Sequence, residues 1–155
     1  MVSKPANQLV GGVDYPRNFL EFQAFFPDEA AVYRYLERMR WPDGLMCPGC
    51  GGLGKAWRSG RGLLVCSTCR KQTSVTAGTV FEKTRKPLLL WFNVAWEITN
   101  SKQGANALTI QRRIGLPNYK TAWSWLHKLR RAMVRPDRDR LAGEVEVDET
   151  SPFKV

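Results

Sequence analysis

Apolar residues recur at helical spacing in four segments of the chain, and turn residues separate these segments. The first predicted helix starts near Pro27, with acidic residues in its first turn, and runs to about Arg40. Its apolar stripe consists of Val32, Tyr35, Leu36 and Met39. The second predicted helix, from Leu88 to about Thr99, is apolar around most of its circumference, which indicates a buried helix.

Two further helices follow, with a short glycine-containing turn between them. They span roughly Ala105 to Ile114 and Tyr119 to Val134, and Asn118 is placed to cap the second. The second helix is predicted to have an apolar face formed by Ala122, Trp125, Leu126, Leu129 and Met133, opposite a polar face with Lys120, Ser124, His127 and Arg131. This pattern suits a helix-turn-helix whose second helix enters the major groove, and it equally suits a small helical bundle with a charged outer face.

Short strands are predicted at 55–58, 63–66, 72–75 and 144–149, the first three in a segment rich in glycine and cysteine. The predicted fold class is therefore α+β, with a small three-stranded ribbon after an N-terminal helix and before a three-helix, helix-turn-helix-like bundle that ends in a strand stub. The predicted regions are a flexible tail (1–18), an N-terminal helix region (19–44), the ribbon (45–81), the helix-turn-helix-like region (82–136) and a final segment (137–155).

Four cysteines form two pairs inside the predicted ribbon. Cys47 and Cys50 form one pair, Cys66 and Cys69 the other, and two residues separate the members of each pair. This spacing is typical of a zinc ribbon, because one tight turn aims both sulfurs of a pair at one ion. Four thiolates complete a tetrahedral shell, so the expected zinc is structural. A redox pair or an iron-sulfur cluster are the alternatives, but redox chemistry needs only one such pair.

The positive charge is concentrated in the middle of the chain. The whole chain carries a net charge of +10, whereas residues 47–143 carry +14, residues 1–46 carry −1 and residues 144–155 carry −3. Such a concentration with interleaved aromatic residues favours a polyanion, here double-stranded DNA, over a merely solvated basic face. We expect no membrane partner and a cytoplasmic protein, because the longest apolar run is far too short to cross a bilayer.

The candidate DNA contacts lie on the last two predicted helices. Asn118, Tyr119 and Lys120 would lie where the second helix of a helix-turn-helix reaches base edges, with Ser124 and His127 further along the same helix. We assign contacts to backbone phosphates to Arg112, Arg113, Lys128, Arg130 and Arg131. We do not expect His127 to bind metal, since four cysteines already fill the shell.

Several segments, in consistent order over roughly residues 19–150, carry a resemblance to a known family. They are RWPDG at 40–44, CPGCG at 47–51, TVF at 79–81, TAW at 121–123, LHKLR at 126–130 and VEVDET at 145–150. The chain resembles bacterial insertion-sequence transposases, which have an N-terminal zinc ribbon and a DDE-type ribonuclease-H-like domain. The resemblance implies binding to insertion-element ends by the ribbon and helices, in a bacterial cytoplasm at the nucleoid.

The resemblance also implies that Asp148 is the first catalytic carboxylate of the DDE-type domain. Such carboxylates hold two metal ions, Mg²⁺ or Mn²⁺, at the scissile phosphate. After Asp148 only Glu149 follows, and neighbouring strand residues point to opposite faces. We therefore expect 137–155 to be a linker and a truncated start of that domain, and the chain alone to be catalytically incomplete. Read without the family, these acids form an acidic edge strand.

Two rival interpretations remain open. One is a complete, non-enzymatic regulator or an inhibitor that occupies element ends, and the other is a protein-interaction adaptor scaffolded by zinc. Self-association is also left open by the sequence.

Overall fold

The structure is a computed structural model, and it describes residues 9–102 and 104–134. Within these residues the elements are α1 (Phe19–Phe25), α2 (Glu29–Arg40), β1 (Ala56–Arg58), β2 (Leu64–Cys66), β3 (Gln72–Thr73), α3 (Leu88–Asn100), α4 (Ala107–Ile114) and α5 (Tyr119–Met133). This combination of helices and a small antiparallel sheet confirms the predicted α+β class. The predicted strand at 144–149, with Asp148, lies outside the described residues.

Helix α1 is an element that the hydrophobic pattern did not separate from its surroundings. Asn18 caps it by accepting a hydrogen bond from the Glu21 amide at 2.9 Å, and the Glu21 carboxylate in turn accepts one from the Arg17 amide at 2.8 Å. The helix buries Phe22, whose ring lies 5.0 Å from that of Trp96 on α3. Seven residues are too short for a helical period to be recognised, so the packing on α3 defines this helix.

Helix α2 starts two residues later than predicted, because Asp28 is the cap residue rather than part of the first turn. The Asp28 side chain accepts a hydrogen bond from the Ala31 amide at 2.7 Å. Val32 is fully buried, and Tyr35 and Leu36 of the predicted stripe pack against the core half-buried. The apolar face of α2 therefore packs on α3, the first helix after the ribbon.

The three strands form one antiparallel sheet in the order β1-β2-β3. Trp57 pairs with Val65 across β1 and β2, and Val65 pairs with Gln72 across β2 and β3. All three strands are shorter than the predicted segments. Only the central strand, β2, has consecutive buried residues, which point to opposite faces of the sheet. The sheet is therefore a thin ribbon and does not form a separate hydrophobic core.

Helix α3 lies at the centre of the core and contacts α2, α4 and α5. Leu88, Trp91 and Val94 are buried, which confirms the predicted burial for this face of the helix, and its other apolar side chains are half-buried. The Trp91 ring stacks on that of Trp125 from α5, with the centroids 4.0 Å apart and the planes 19° apart. This stack joins α3 to α5.

The first turn of α3 is capped by a residue from α2. Pro87 precedes α3 and provides no side-chain cap. Instead the Glu29 carboxylate accepts hydrogen bonds from the Leu88 amide at 2.7 Å and the Leu89 amide at 2.9 Å. A carboxylate at this end of a helix satisfies unpaired amides and interacts favourably with the helix dipole.

Helices α4 and α5 form the predicted pair, joined by residues 115–118. Asn106 caps α4, Gly115 ends it with φ of 70°, and Asn118 caps α5. The buried side chains of α5 are Ala122, Trp125, Leu126 and Leu129. The prediction for Met133 is wrong, since it is 55% exposed. Met133 is the last residue of α5 and the following Val134 is also exposed, so the buried face of the helix ends at Leu129.

Substitution of Glu29 tests the cap between α2 and α3. Glu29→Ala is expected to lower the free energy of unfolding by about 1 kcal/mol, because two amides of α3 lose their acceptor. Glu29→Gln should lose less, since the amide oxygen still accepts one bond. Urea unfolding followed by circular dichroism measures the change, with Asp43→Asn in the exposed turn after α2 as the control. Equal stabilities of Glu29→Ala and the control would contradict the cap.

Candidate metal centre and nucleic-acid interface

The first cysteine turn, which we call knuckle 1 (residues 47–51), is closed by backbone hydrogen bonds. The Gly51 amide donates to the Cys47 carbonyl at 2.9 Å, and the Gly49 amide donates to the Cys47 sulfur at 3.3 Å. Gly51 adopts a left-handed conformation with φ of 68°. Knuckle 1 therefore requires a residue after Cys50 that tolerates positive φ.

The second turn, knuckle 2 (residues 66–70), repeats this geometry. The Arg70 amide donates to the Cys66 carbonyl at 3.0 Å, and Arg70 has φ of 62°. Arg70 therefore occupies the position that Gly51 occupies in knuckle 1. For a residue with a β-carbon this conformation costs free energy, so the fold tolerates strain here to aim both cysteines inward.

The two knuckles bring all four predicted ligand sulfurs together, within 4.8 Å of one another. The Cys47 and Cys69 sulfurs are 3.4 Å apart, and those of Cys50 and Cys66 are 3.8 Å apart. Tetrahedral zinc with Zn–S bonds of about 2.3 Å places its sulfurs about 3.8 Å apart. Cys47 and Cys66 are buried, whereas Cys50 and Cys69 are exposed. The donor set and its spacing thus fit a structural zinc ion.

Backbone amides prepare two of the four thiols for metal binding. The amides of Cys50 and Gly49 lower the pKa of Cys47 to about 6, and the amides of Cys69 and Thr68 lower the pKa of Cys66. The amide of Lys71 lowers the pKa of Cys69, but contact with Cys47 and burial raise that pKa, to about 11 overall. Zinc binds thiolates, so acid should release the ion by protonating them.

Two contacts fix the ribbon against α2. Arg40 donates from one nitrogen to the carbonyls of Val75 and Ala77, each at 2.6 Å. Arg58 of β1 donates to both carboxylate oxygens of Glu37 at 2.6 and 2.7 Å. The metal centre is therefore held in a defined orientation relative to the helices.

The polar face predicted for α5 is on the surface of the described structure. Lys120, His127 and Arg131 are exposed and Ser124 is half-buried. The Asn118 side chain accepts a hydrogen bond from the Lys120 amide at 2.8 Å, so capping already uses its oxygen. His127 lies on this face with its ring centroid 4.0 Å from that of Trp123, and it is not among the metal-binding group.

Trp123 is a candidate surface residue that the sequence reasoning missed. It is 51% exposed, as is Tyr119 at 48%. Tyr119, Trp123 and His127 follow one another at intervals of four residues along α5, and this spacing places them on one side of the helix. The signal was present in the sequence, but a tryptophan is normally assigned to a core.

The predicted phosphate contacts divide into two groups. Arg113 donates to Glu97 at 2.5 Å and Arg130 to the Ala105 carbonyl at 2.6 Å, so both take part in contacts that hold the helices together. Arg112 is exposed and has no ion pair among the described residues. Lys128 and Arg131 of α5 line a groove together with Lys83. The backbone of Lys83 is in the left-handed region, with φ of 57°.

Comparisons with known proteins agree with this geometry. A family described as a transposase zinc-ribbon domain matches residues 27–72, which include α2 and all four cysteines. An uncharacterized protein in transposable element ISH50 of Halobacterium salinarum is 27% identical over 128 residues, covering 80% of this chain and 42% of the relative. This chain thus spans about two fifths of the relative's length. No solved structure matches.

The fold and the cysteine cluster define a zinc-ribbon protein. The two matches further support a transposase-related protein, whereas neither shows a DDE-type domain. In the part of the chain that the structure describes, no helix has the length and apolar character needed to cross a membrane.

Loss of one sulfur tests the metal centre. Wild type should bind one zinc with four sulfur ligands, and Cys66→Ser should lose zinc and unfold the ribbon, because small metal domains derive folding free energy from the ion. Metal analysis, X-ray absorption and thermal unfolding measure these properties. Thr68→Ala, in the same knuckle, is the control and should retain zinc. Nitrogen or oxygen in the shell of the wild-type zinc would contradict the assignment.

The equivalent residues Gly51 and Arg70 provide a second test. A β-carbon on Gly51 meets no atom within 4 Å, so Gly51→Ala tests backbone strain alone. It should destabilise the zinc-loaded protein by about 1 kcal/mol. Arg70→Gly should be at least as stable as wild type, because relief of strain offsets the added freedom of the unfolded chain. Chemical denaturation measures the free energy of unfolding of both variants. Changes of the same sign and size in the two variants would contradict the equivalence of Gly51 and Arg70.

Proposed function

We propose that this chain is the DNA-binding portion of a transposase and that it recognises the ends of an insertion element. The observation that carries the proposal is the exposed, basic and aromatic face of α5 in a chain whose ribbon matches a transposase zinc-ribbon domain. In this proposal Cys47, Cys50, Cys66 and Cys69 bind one structural zinc. The proposed domain boundaries are those of the five regions predicted from the sequence.

The start of α5 is proposed to read base edges in the major groove. Lys120 and Tyr119 are exposed in its first turn, where helix-turn-helix proteins contact bases. Trp123 lies one turn further along and offers an apolar surface of the kind that contacts thymine methyl groups. The His127 ring contacts that of Trp123 in a tilted arrangement, and His127 is proposed to fix the orientation of the Trp123 ring. Ser124 is small enough to let the backbone of α5 approach the groove.

Phosphate contacts are proposed to come from the exposed cations. Lys128 and Arg131 share a groove with Lys83, and Arg112 is exposed on α4. Arg113 and Arg130 are proposed to act mainly by positioning α3, α4 and α5, because Glu97 and the Ala105 carbonyl accept their hydrogen bonds. Contacts to phosphates contribute affinity without sequence choice, so specificity rests on the first half of α5.

The catalytic role of Asp148 remains a proposal from the family resemblance. Asp148 lies outside the described residues, and Mg²⁺ or Mn²⁺ would bind only with further carboxylates of a complete catalytic domain. Location at the bacterial nucleoid is likewise proposed through DNA binding. The ISH50 relative carries no assigned activity in its name, so it supports the link to a transposable element and nothing more specific.

The salt dependence of DNA affinity tests the proposed interface. We expect a log-log slope of about −4 to −8 for duplex DNA. Arg112→Ala should flatten this slope by about 0.9, the contribution of one phosphate. Arg113→Ala is the matched variant on the neighbouring residue, and it should flatten the slope less because Glu97 already compensates its charge. Fluorescence anisotropy with labelled duplexes at several salt concentrations measures the slopes.

Lys120→Ala separates base reading from phosphate binding in the same assay. It should weaken binding to element-end DNA more than binding to a scrambled duplex, whereas Arg112→Ala should weaken both alike. Salt-independent affinity, or no affinity for DNA, would support the adaptor interpretation instead.

A further inference from the structure

A groove between α2 and the β1–β2 hairpin contains cations from two separate elements. Tyr33 and Arg34 of α2 line one side, and Arg58, Arg61 and Gly62 of the hairpin line the other. We call it the arginine groove, and its volume is about 530 Å³. It lies outside the α4–α5 surface considered above.

Arg58 holds the groove together. One nitrogen of its guanidinium group donates to both oxygens of Glu37, and the other donates to the Gly62 carbonyl at 3.2 Å in the hairpin turn. The Arg58 side chain is 41% exposed and that of Glu37 is 21% exposed. Arg58 thus fixes the hairpin turn against α2, and its charge is already compensated by Glu37.

Arg34 and Arg61 bring positive charge that no described carboxylate compensates. Both are exposed, and neither side chain takes part in an ion pair or a hydrogen bond among the described residues. The acids of α2 and its cap are committed elsewhere, since Asp28 binds the Ala31 amide, Glu29 binds α3 and Glu37 binds Arg58. Arg34 belongs to residues 1–46, which as a whole have a net charge of −1, whereas Arg61 belongs to the basic segment 47–143.

We propose that the arginine groove binds backbone phosphates of duplex DNA, as a second contact beside the one made by α5. This inference rests on the proposed function, because it assigns a further part of the interface to the same ligand. Guanidinium groups match phosphate oxygens in pairs of parallel hydrogen bonds. Two arginines on separate elements, at an open surface, suit successive phosphates of a polymer better than one enclosed small anion.

The position of the groove links the metal centre to DNA binding. Arg61 lies in the turn between β1 and β2, and β1 pairs with β2 through Ala56 and the ligand Cys66. Loss of zinc should therefore displace Arg61 and Arg58 together while α5 keeps its own packing. In this proposal the contact between the ribbon and the DNA backbone depends on bound zinc.

The test compares DNA binding by wild type and by the double variant Arg34→Ala/Arg61→Ala. Loss of two phosphate contacts should flatten the salt slope by about 1.8, so the affinity ratio of wild type to variant should fall about twelvefold between 50 and 200 mM salt. Arg38→Ala is the control, because Arg38 lies one turn further along α2, borders a different groove and faces the Tyr35 ring. It should leave the slope close to that of wild type.

Further variants separate charge from folding. Arg34→Lys/Arg61→Lys keeps both charges and should keep most of the slope. Zinc content and the melting temperature of each variant must equal those of wild type, as expected for exposed side chains without partners. If the double alanine variant lost zinc, the double lysine variant and the two single alanine variants would test the groove instead. Unchanged salt slopes in the single alanine variants would overturn the proposal.

Three other results would also overturn the proposal. If Arg112→Ala flattens the slope and the double alanine variant behaves as Arg38→Ala does, the arginine groove does not contact DNA while the proposed function stands. If wild type binds no duplex DNA, both fail. If the double variant weakens binding by the same factor at every salt concentration, the two arginines do not contact phosphates, because loss of a phosphate contact changes the slope.

Discussion

The arrangement of the other helices follows from the burial of helix α3. Apolar side chains cover most of its circumference, so water must be excluded from several sides at once. Helices α2, α4 and α5 pack around α3, and the stacked rings of Trp91 and Trp125 join α3 to α5. The N-terminal helices and the C-terminal pair are thereby joined in one core, although the ribbon separates them in sequence.

The ribbon has little core of its own, so the cysteine cluster and polar contacts take the place of hydrophobic burial there. Its sheet has two or three residues in each strand, and the four sulfurs converge beside it. A metal ion in such a domain supplies folding free energy that a small core cannot. Arg58 and Arg40 then fix the ribbon to α2, through Glu37 and the carbonyls of Val75 and Ala77 respectively. Because these contacts use the side chains of Arg58 and Arg40, they also determine which other cations remain available to bind a polyanion.

The sequence predicted the elements with strong local signals and missed those without them. The spacing of the cysteines identified the metal centre, because a short turn aims paired sulfurs at one ion whatever surrounds it. The periodicity of α5 identified its buried face except at Met133, the last residue of the helix, because periodicity does not show where the surrounding core ends. Helix α1 was missed because seven residues give too weak a period, and its packing against Trp96 defines it.

The α+β class, the pairing of the cysteines and the concentration of positive charge could be predicted from local sequence, since each is a property of neighbouring residues. Which charges are available for a ligand depends on the packing of the helices. Arg112 and Arg113 are adjacent and identical in type, yet only Arg113 meets Glu97 from α3. Likewise Glu29 caps α3 from a position 59 residues earlier in the chain. Contacts over such separations depend on how the helices pack, which local patterns do not encode.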